Sequence, residues 1–287
     1  MKLLVTGATG KLGSKVVEAL LKTLAAEQLA VSVRNPEKAE GLRARGVDVR
    51  LGDFDRPETL DTAFAGIDRL LIISADGDNK TRIRQHANAV GAAERAGVKF
   101  IAYTSLANAT ESTNIMAPPH VATEAAIVKT GIPYSFLRNN WYLENEIGSI
   151  QGAIAGAPWV TSAGVGKVGW ALQQDYAEAA AAVLTGKGHE NTVYELSGPL
   201  LTQEELVFVL GVVLGKEIPV QQVDDEKYAE IMKGLGLPDF VIPIVVGIQE
   251  SIRNRSLEVE RNDFEKILGR PVTPISEALT QILNGIS

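Results

Sequence analysis

Gly7, Gly10 and Gly13 stand at every third position between a short apolar run, Lys2-Leu3-Leu4-Val5, and an amphipathic stretch over residues 14–23. Glycines in this context bind anions through the backbone. A strand, a glycine-rich turn and a helix in succession is the arrangement that holds a dinucleotide pyrophosphate. Gly7 permits the tight turn out of the strand, and Gly10 lets the backbone approach the phosphates with no Cβ in the way. Gly13 lets the helix pack close to the strand, and the N–H groups of the first helical turn then face the anion. Thr9, Lys11 and Leu12 lie in the same loop and are expected to contact the cofactor with the glycines. Gly10-Lys11 is followed by Leu12, where a triphosphate-binding loop needs Ser or Thr, so a nucleotide-triphosphatase is a poor reading.

The end of the second strand selects the dinucleotide. An acidic residue there binds the ribose 2′-hydroxyl of NAD. This chain has Val33-Arg34-Asn35-Pro36 instead. Arg34 favours a 2′-phosphate through a charge-assisted contact, with Lys11 and Lys38 adding positive charge, so NADPH (NADP) is the expected cofactor. Asp53 and Phe54 follow the third strand. Asp53 either accepts from the adenine amino group, with Phe54 lining that pocket, or serves as a turn residue or cap of the helix at Pro57. Ser74 ends the fourth strand and is expected beside the ribose and pyrophosphate.

Holding these residues together takes a βαβ scaffold. Strands are expected at Leu3–Thr6, Leu29–Val33, 47–51, 69–73, 100–104 and 134–137, with helices at 13–23, 36–45, 57–65, 81–96 and 118–130. Near-continuous apolar strands imply helices on both sheet faces. Gly46, Gly66, Gly97 and Gly131 sit where helix-ending glycines are favoured, and Pro36 and Pro57 where helices start. The fold class is therefore α/β: a doubly wound parallel sheet with helices on both faces and right-handed crossovers.

After about residue 140 the rhythm changes. Helices are expected at 175–186, 202–214, 224–235, 239–252 and 274–283, with isolated short strands at 193–196 and 218–223. Residues 1–140 are expected to form the dinucleotide-binding core and residues 141–287 a smaller, mostly helical substrate-binding lobe, with some segments returning to the core.

Bulk properties narrow the function classes. With 287 residues and 45% hydrophobic content the chain can bury a sizeable core. A net charge of −7 argues against a nucleic-acid binder. The absence of cysteine removes disulfides, thiolate metal sites and a thiol nucleophile, and no His/Asp/Glu cluster has metal-ligand spacing, so no metal is expected. A strand and glycine loop begin at once, which leaves no room for a signal peptide, and no stretch approaches a membrane span. A cytoplasmic protein, monomeric or homodimeric and without membrane contact, is expected.

The fifth strand and the helix after it carry the second set of chemical residues: Tyr103-Thr104-Ser105, then His120-Val121-Ala122-Thr123-Glu124. A short-chain dehydrogenase places Tyr-x-x-x-Lys here, the lysine lowering the tyrosine pKa for proton exchange with an alcohol or carbonyl. His120 and Glu124 occupy that spacing instead. Taken with 7–13, 33–39, 99–105 and Leu137-Arg138-Asn139-Asn140-Trp141-Tyr142, these strings resemble the NmrA-like atypical short-chain dehydrogenase/reductase family, in its branch of NADPH-dependent quinone oxidoreductases and triphenylmethane reductases. The likeness continues more loosely through 188–196 to the C-terminal helices.

The resemblance implies a Rossmann core and a small lobe, with NADPH and an aromatic acceptor in the cleft between them. It implies hydride transfer to a quinone or similar aromatic acceptor. An alternative stays open: a non-catalytic redox sensor that binds dinucleotides to regulate a partner. Quinone reduction fits the missing tyrosine, because the hydroquinonate has a conjugate acid of roughly pKa 10 and water can protonate it. Expected at the nicotinamide end are His120, Tyr103 and Asn139 in catalysis, with Thr104 and Ser105 nearby and Tyr103 and Glu124 also toward the cofactor. His120 either donates to a quinone oxygen or is a structural histidine. Glu124 either holds His120, binds a cofactor hydroxyl, or is a solvated helix charge. Asn140, Trp141 and Tyr142 are expected to wall the acceptor pocket, the aromatics alternatively being core. Trp170 stands where relatives tend to have smaller residues and would alter acceptor preference if it lines the cleft. His86 and His189 are expected outside catalysis.

Overall fold

The computed structural model describes residues 1–286. The first half alternates β1 (Leu3–Thr6), α1 (Lys11–Leu21), β2 (Leu29–Val33), α2 (Glu40–Ala44), β3 (Asp48–Leu51), α3 (Pro57–Phe64), β4 (Arg69–Ile72), α4 (Asn79–Arg95), β5 (Phe100–Leu106), α5 (Ala117–Thr130) and β6 (Tyr134–Asn139). The second half adds β7 (Trp141–Tyr142), α6 (Ile147–Ile154), β8 (Trp159–Thr161), β9 (Val168–Ala171), α7 (Gln173–Thr185), β10 (Thr192–Leu196), β11 (Leu200–Leu201), α8 (Gln203–Leu214), β12 (Val220–Gln222), α9 (Asp225–Gly234), α10 (Ile242–Arg253), α11 (Asp263–Leu268) and α12 (Ile275–Ile286).

Seven strands pair in the order β3-β2-β1-β4-β5-β6-β10, all parallel. Strand order reverses between β1 and β4, and in such sheets ligands bind outside the carboxyl ends of the strands at that point. The loop after β1 and the segment after β4 flank it.

Alternation along the strands builds two core layers. Leu3, Val5, Leu71 and Ala102 face the layer that holds Val16, Val17 and Leu20 of α1 and Ala177, Ala180 and Leu184 of α7. Leu4, Leu70, Ile72, Ile101 and Tyr103 face the layer that holds Phe64 of α3, Ala89 and Ala93 of α4 and Ile127 of α5. A third cluster, around Leu143, Trp159, Trp170, Leu210 and Leu279, forms the interior of the lobe. Among the described residues no helix is long and apolar enough to cross a membrane.

The structure departs from the sequence expectation in three places. The strands expected at 193–196 and 218–223 are not isolated: the first, as β10, closes the sheet beside β6, with α7 before it packing along α1, and the second, as β12, pairs with β8. The expected 36–45 helix is a 3-10 turn, Pro36–Ala39, followed by the short α2, because the backbone of Ala39 sits at φ −114°, ψ 15°, outside the helical region. In the lobe, α6, β7, β8, β9, β11 and α11 were not foreseen. Each strand is four residues or fewer, too short for a periodic pattern. The α6 sequence IGSIQGAI combines glycines with β-branched residues, and Ile150 and Ala153 buried in the lobe hold it helical.

The chain end is tied to the core by one buried acid. Asp175, fully buried, accepts from Arg270 Nη2 at 2.7 Å and from the Thr273 N–H and Oγ1 at 3.0 and 3.2 Å. Asp175→Ala strands the Thr273 donors and should lower unfolding stability by about 2–3 kcal/mol, read as a lower urea midpoint with unchanged slope.

Candidate active site

The first part of the site is backbone. Gly7 turns the chain out of β1 at φ +62°, a conformation that glycine adopts without strain. Its N–H donates to Ser32 O at 3.1 Å, which sets the loop against the end of β2. A Cβ on Gly13 would lie 2.2 Å from Gly7 O, so only glycine lets α1 sit this close to the turn. Gly10 is the N-cap and has no side chain to cap the helix. The first i→i−4 bond runs from Ser14 N–H to Gly10 O at 3.0 Å, so the N–H groups of Lys11, Leu12 and Gly13 precede it and can serve an anion.

Lys11 at the start of α1, and Arg34 and Lys38 in the segment that follows β2, are exposed. Asp53 occupies a turn: its Oδ1 accepts from Asp55 N–H at 3.0 Å and its own N–H donates to Thr59 Oγ1 at 2.9 Å. Phe54 meets the edge of His86 with ring centroids 6.4 Å apart. These residues can hold a dinucleotide with a 2′-phosphate: a cradle that side chains would fill, unbonded helix N–H groups and three cations.

The second part is a buried polar chain under the ends of β4 and β5. Arg82 Nη2 donates to Ser74 Oγ at 2.8 Å and to His120 Nε2 at 2.9 Å. A guanidinium only donates, so His120 Nε2 is unprotonated and the proton of the neutral ring sits on Nδ1. That Nδ1–H donates to the Tyr103 phenol oxygen at 3.0 Å. The same logic orients His86. Its Nε2 accepts from Ala75 N–H at 2.9 Å, so its Nδ1–H donates to Thr123 Oγ1 at 2.8 Å, and Thr123 donates to Pro119 O at 2.6 Å. Burial, with the Arg82 charge adding, pushes His86 down to about 4 and His120 down to about 3. Burial pushes the Tyr103 phenol up to about 12. Both imidazoles are therefore neutral, with every ring nitrogen occupied by protein.

Glu124 belongs to a different cluster. It accepts from Ser105 Oγ at 2.6 Å and pairs with Arg138 Nη2 at 2.7 Å and Nε at 2.9 Å. It does not hold His120 and is not a solvated charge. Asn139 Nδ2 donates to the Tyr142 hydroxyl at 2.9 Å, while Asn139 Oδ1 is buried without a partner. Asn140 Nδ2 is taken up by Ser197 Oγ at 3.1 Å and Leu257 O at 2.9 Å. Trp141 and Trp170 pair across β7 and β9, and both indole N–H groups donate to Glu146 Oε1, at 3.0 and 3.1 Å. Trp170 is fully buried and Trp141 nearly so, which makes them lobe interior; Trp170 lines no open cleft.

Arg82, His86 and Thr123 were not singled out from the sequence as site residues, nor was Glu146. Their signal is positional. Arg82 and His86 fall on the same helical face as Ala89 and Ala93, the buried stripe of α4. A cation and an imidazole on an otherwise apolar stripe mark a polar network inside the fold. Among the described residues no group of His, Asp or Glu could hold a metal ion.

Comparison with known proteins agrees with this geometry. The chain is 38% identical over 281 residues to quinone oxidoreductase 2 of Escherichia coli, covering 98% of each chain. It superimposes on the Escherichia coli NADPH-dependent quinone oxidoreductase complexed with NADPH with a TM-score of 0.94 at 38% identity, covering 98% of this chain and 100% of that one. It superimposes equally, at TM-score 0.94 and 41% identity, on the Citrobacter triphenylmethane reductase complexed with NADP(H), over 98% and 100% of the two chains. The NmrA-like family model matches residues 1–271. The glycine cradle, the parallel sheet and the altered Tyr-x-x-x-Lys segment are thus those of a member of the NmrA-like family.

Proposed function

We propose that this chain is an NADPH-dependent reductase that transfers hydride to quinones and related aromatic acceptors. The observation that carries the reading is the state of the residue at the usual tyrosine position: His120 is neutral and both its nitrogens are bonded, to Arg82 and Tyr103. Tyr103 is fully buried and its proton is held more tightly than usual. Neither group can deliver a proton to a substrate, so the supported chemistry is reduction that needs no protein acid. Full-length similarity to quinone and dye reductases supports the same class.

The bound dinucleotide supplies the hydride. The chain does the rest. The α1 N–H groups hold the pyrophosphate, and Arg34, Lys38 and Lys11 favour the 2′-phosphate. At the other end the unpartnered Asn139 Oδ1 fits an amide donor, such as the nicotinamide carboxamide. Orienting the acceptor and excluding water then provide the acceleration.

Two outcomes check this. NADPH oxidation followed at 340 nm should be saturable in 1,4-naphthoquinone and faster with NADPH than with NADH. Arg34→Ala should raise KM for NADPH by about 10- to 100-fold while leaving NADH little changed, the loss of one charge-assisted contact. Tight NADPH binding with no turnover across quinones and cationic dyes would return the sensor reading.

The pH profile is the second check. Both histidines lie below the ordinary value of 6.5, so they stay neutral at every pH above about 4 and about 3. We expect kcat to show no histidine ionisation from about pH 5 to about pH 9. A group depressed on folding contributes stability that is complete above its unfolded value, here 6.5, and is lost as pH falls toward about 4. Any acid loss of activity should therefore track unfolding by circular dichroism. An inflection near 6.5 without unfolding would show a catalytic imidazole.

A further inference from the structure

We propose that Arg82 is a positioning residue that, through the Ser74 hydroxyl, stabilises negative charge arising on the acceptor and so favours neutral acceptors that become oxyanions over cationic ones. This rests on the reductase reading above.

The argument begins with two arginines that the fold treats differently. Arg138 holds two carboxylates, Glu124 at 2.7 Å and Glu195 at 3.1 Å. Arg82 is just as deeply placed, the whole residue 7% exposed, yet among the described residues no carboxylate is in ion-pair contact with it. Its partners are neutral acceptors, Ser74 Oγ and His120 Nε2, and its Nε is buried with no partner. Asp76, on the exposed segment after β4, acts on it only across space. A buried cation without a counter-charge is costly, and a merely structural arginine would be expected to carry a carboxylate, as Arg138 does. The uncancelled charge sits under the carboxyl ends of β4 and β5, beside the point where the strand order reverses.

Ser74 carries that charge outward. Its N–H donates to Thr104 Oγ1 at 2.9 Å, which fixes its backbone to β5. Its Oγ accepts from Arg82 and is also bonded to the Tyr103 hydroxyl, which, already accepting from His120, donates to it. With both lone pairs taken, the Ser74 hydrogen points away from these two groups, and the residue is half-buried at the strand end. A hydroxyl that accepts from a cation is a stronger donor than a free one.

Reduction of a neutral quinone breaks the C–H bond of the dihydronicotinamide and forms a bond from that hydrogen to the quinone. The quinone gains two electrons and becomes the hydroquinone monoanion, which takes its remaining proton from water; the dinucleotide is oxidised. A donor backed by a cation binds the anion more strongly than the neutral quinone, which is the condition for acceleration. A triphenylmethane cation runs the other way. Hydride cancels its charge, so Arg82 opposes its approach and has no anion to stabilise.

The test compares kcat/KM with NADPH for 1,4-naphthoquinone and for crystal violet in wild type, Arg82→Met, Arg82→Lys and Ser74→Ala. Arg82→Met should lower the naphthoquinone value by about 30- to 100-fold, mostly in kcat, and leave the dye within about threefold or raise it. Arg82→Lys should recover part of the quinone loss. Ser74→Ala should reproduce most of it, with little further loss in the double variant.

A binding readout needs no turnover. Tryptophan quenching by 2-hydroxy-1,4-naphthoquinone, an anion at neutral pH, should give a Kd about tenfold weaker in both Arg82→Met and Ser74→Ala. Should Arg82→Met fail to fold, Ser74→Ala and this binding decide. Equal losses on both acceptors, or unchanged naphthoquinone kinetics in Ser74→Ala, overturn the role of Arg82. A wild-type chain that oxidises no NADPH with any quinone overturns the reductase reading instead, and the anion-binding comparison still stands as the test of Arg82.

Discussion

The carboxyl edge of the sheet depends on one ion cluster. Arg138, near the end of β6, reaches Glu124 on α5 through two nitrogens and Glu195 on β10 through a third. Glu124 in turn accepts from Ser105 of β5, and Glu195 accepts from Asn108 N–H at 2.9 Å in the loop beyond β5. Three adjacent strands, a covering helix and a loop are thereby locked at the level where ligands bind. Burial raises Glu195, but its bonds to Asn108 and Arg138 hold it back, and those two carboxylates keep Arg138 protonated above its usual range. With two acids and one guanidinium the cluster carries net negative charge. Its pairing orients the edge.

The lobe solves a similar problem with indoles. Desolvation raises the carboxyl of the half-buried Glu146, and the Trp170 and Trp141 N–H groups offset that from opposite strands. One acid thus fixes the register of β7 against β9. The chain must cross this lobe before α7 and β10 return to the core, and Glu144 joins the two parts by accepting the Gln173 N–H at the start of α7 at 2.9 Å. An acidic group at a helix N-terminus also suits the helix dipole.

Much of the core was legible in the chain because its cues are local. β1 and β2 have the expected bounds, and the glycines expected to end helices, Gly46, Gly66, Gly97 and Gly131, all have positive φ. The anion cradle was legible for the same reason, as a spacing within one turn. What was not legible depends on partners far apart in sequence. Nothing near Glu124 announces Arg138 and Glu195 as its partners, and nothing near Trp141 announces Glu146 shared with Trp170. The direction of each proton in the Arg82 chain follows from donors on three different elements. Aromatic residues after β6 read equally as pocket wall or interior from sequence alone, and packing of the lobe placed Trp141 and Trp170 in the interior.

The placement of charge explains how a dehydrogenase-like scaffold works without its tyrosine and lysine. In that device a cation beside the phenol lowers its pKa, and the phenol exchanges a proton with substrate. Here the helix that would carry both groups supplies a neutral imidazole and an acid. The acid is paired with Arg138, and the cation enters from the neighbouring helix as Arg82. The phenol survives one strand over as Tyr103, but fully buried and pushed up to about 12, where it holds its proton. Arg82 still draws the phenol down, but burial outweighs it, and the guanidinium is bonded directly to a serine hydroxyl at the sheet edge. Such a site gives up proton transfer and keeps electrostatic stabilisation. That combination suits acceptors whose reduced form is a weakly basic anion that water can protonate, and serves poorly for a simple ketone, whose alkoxide demands a proton as it forms.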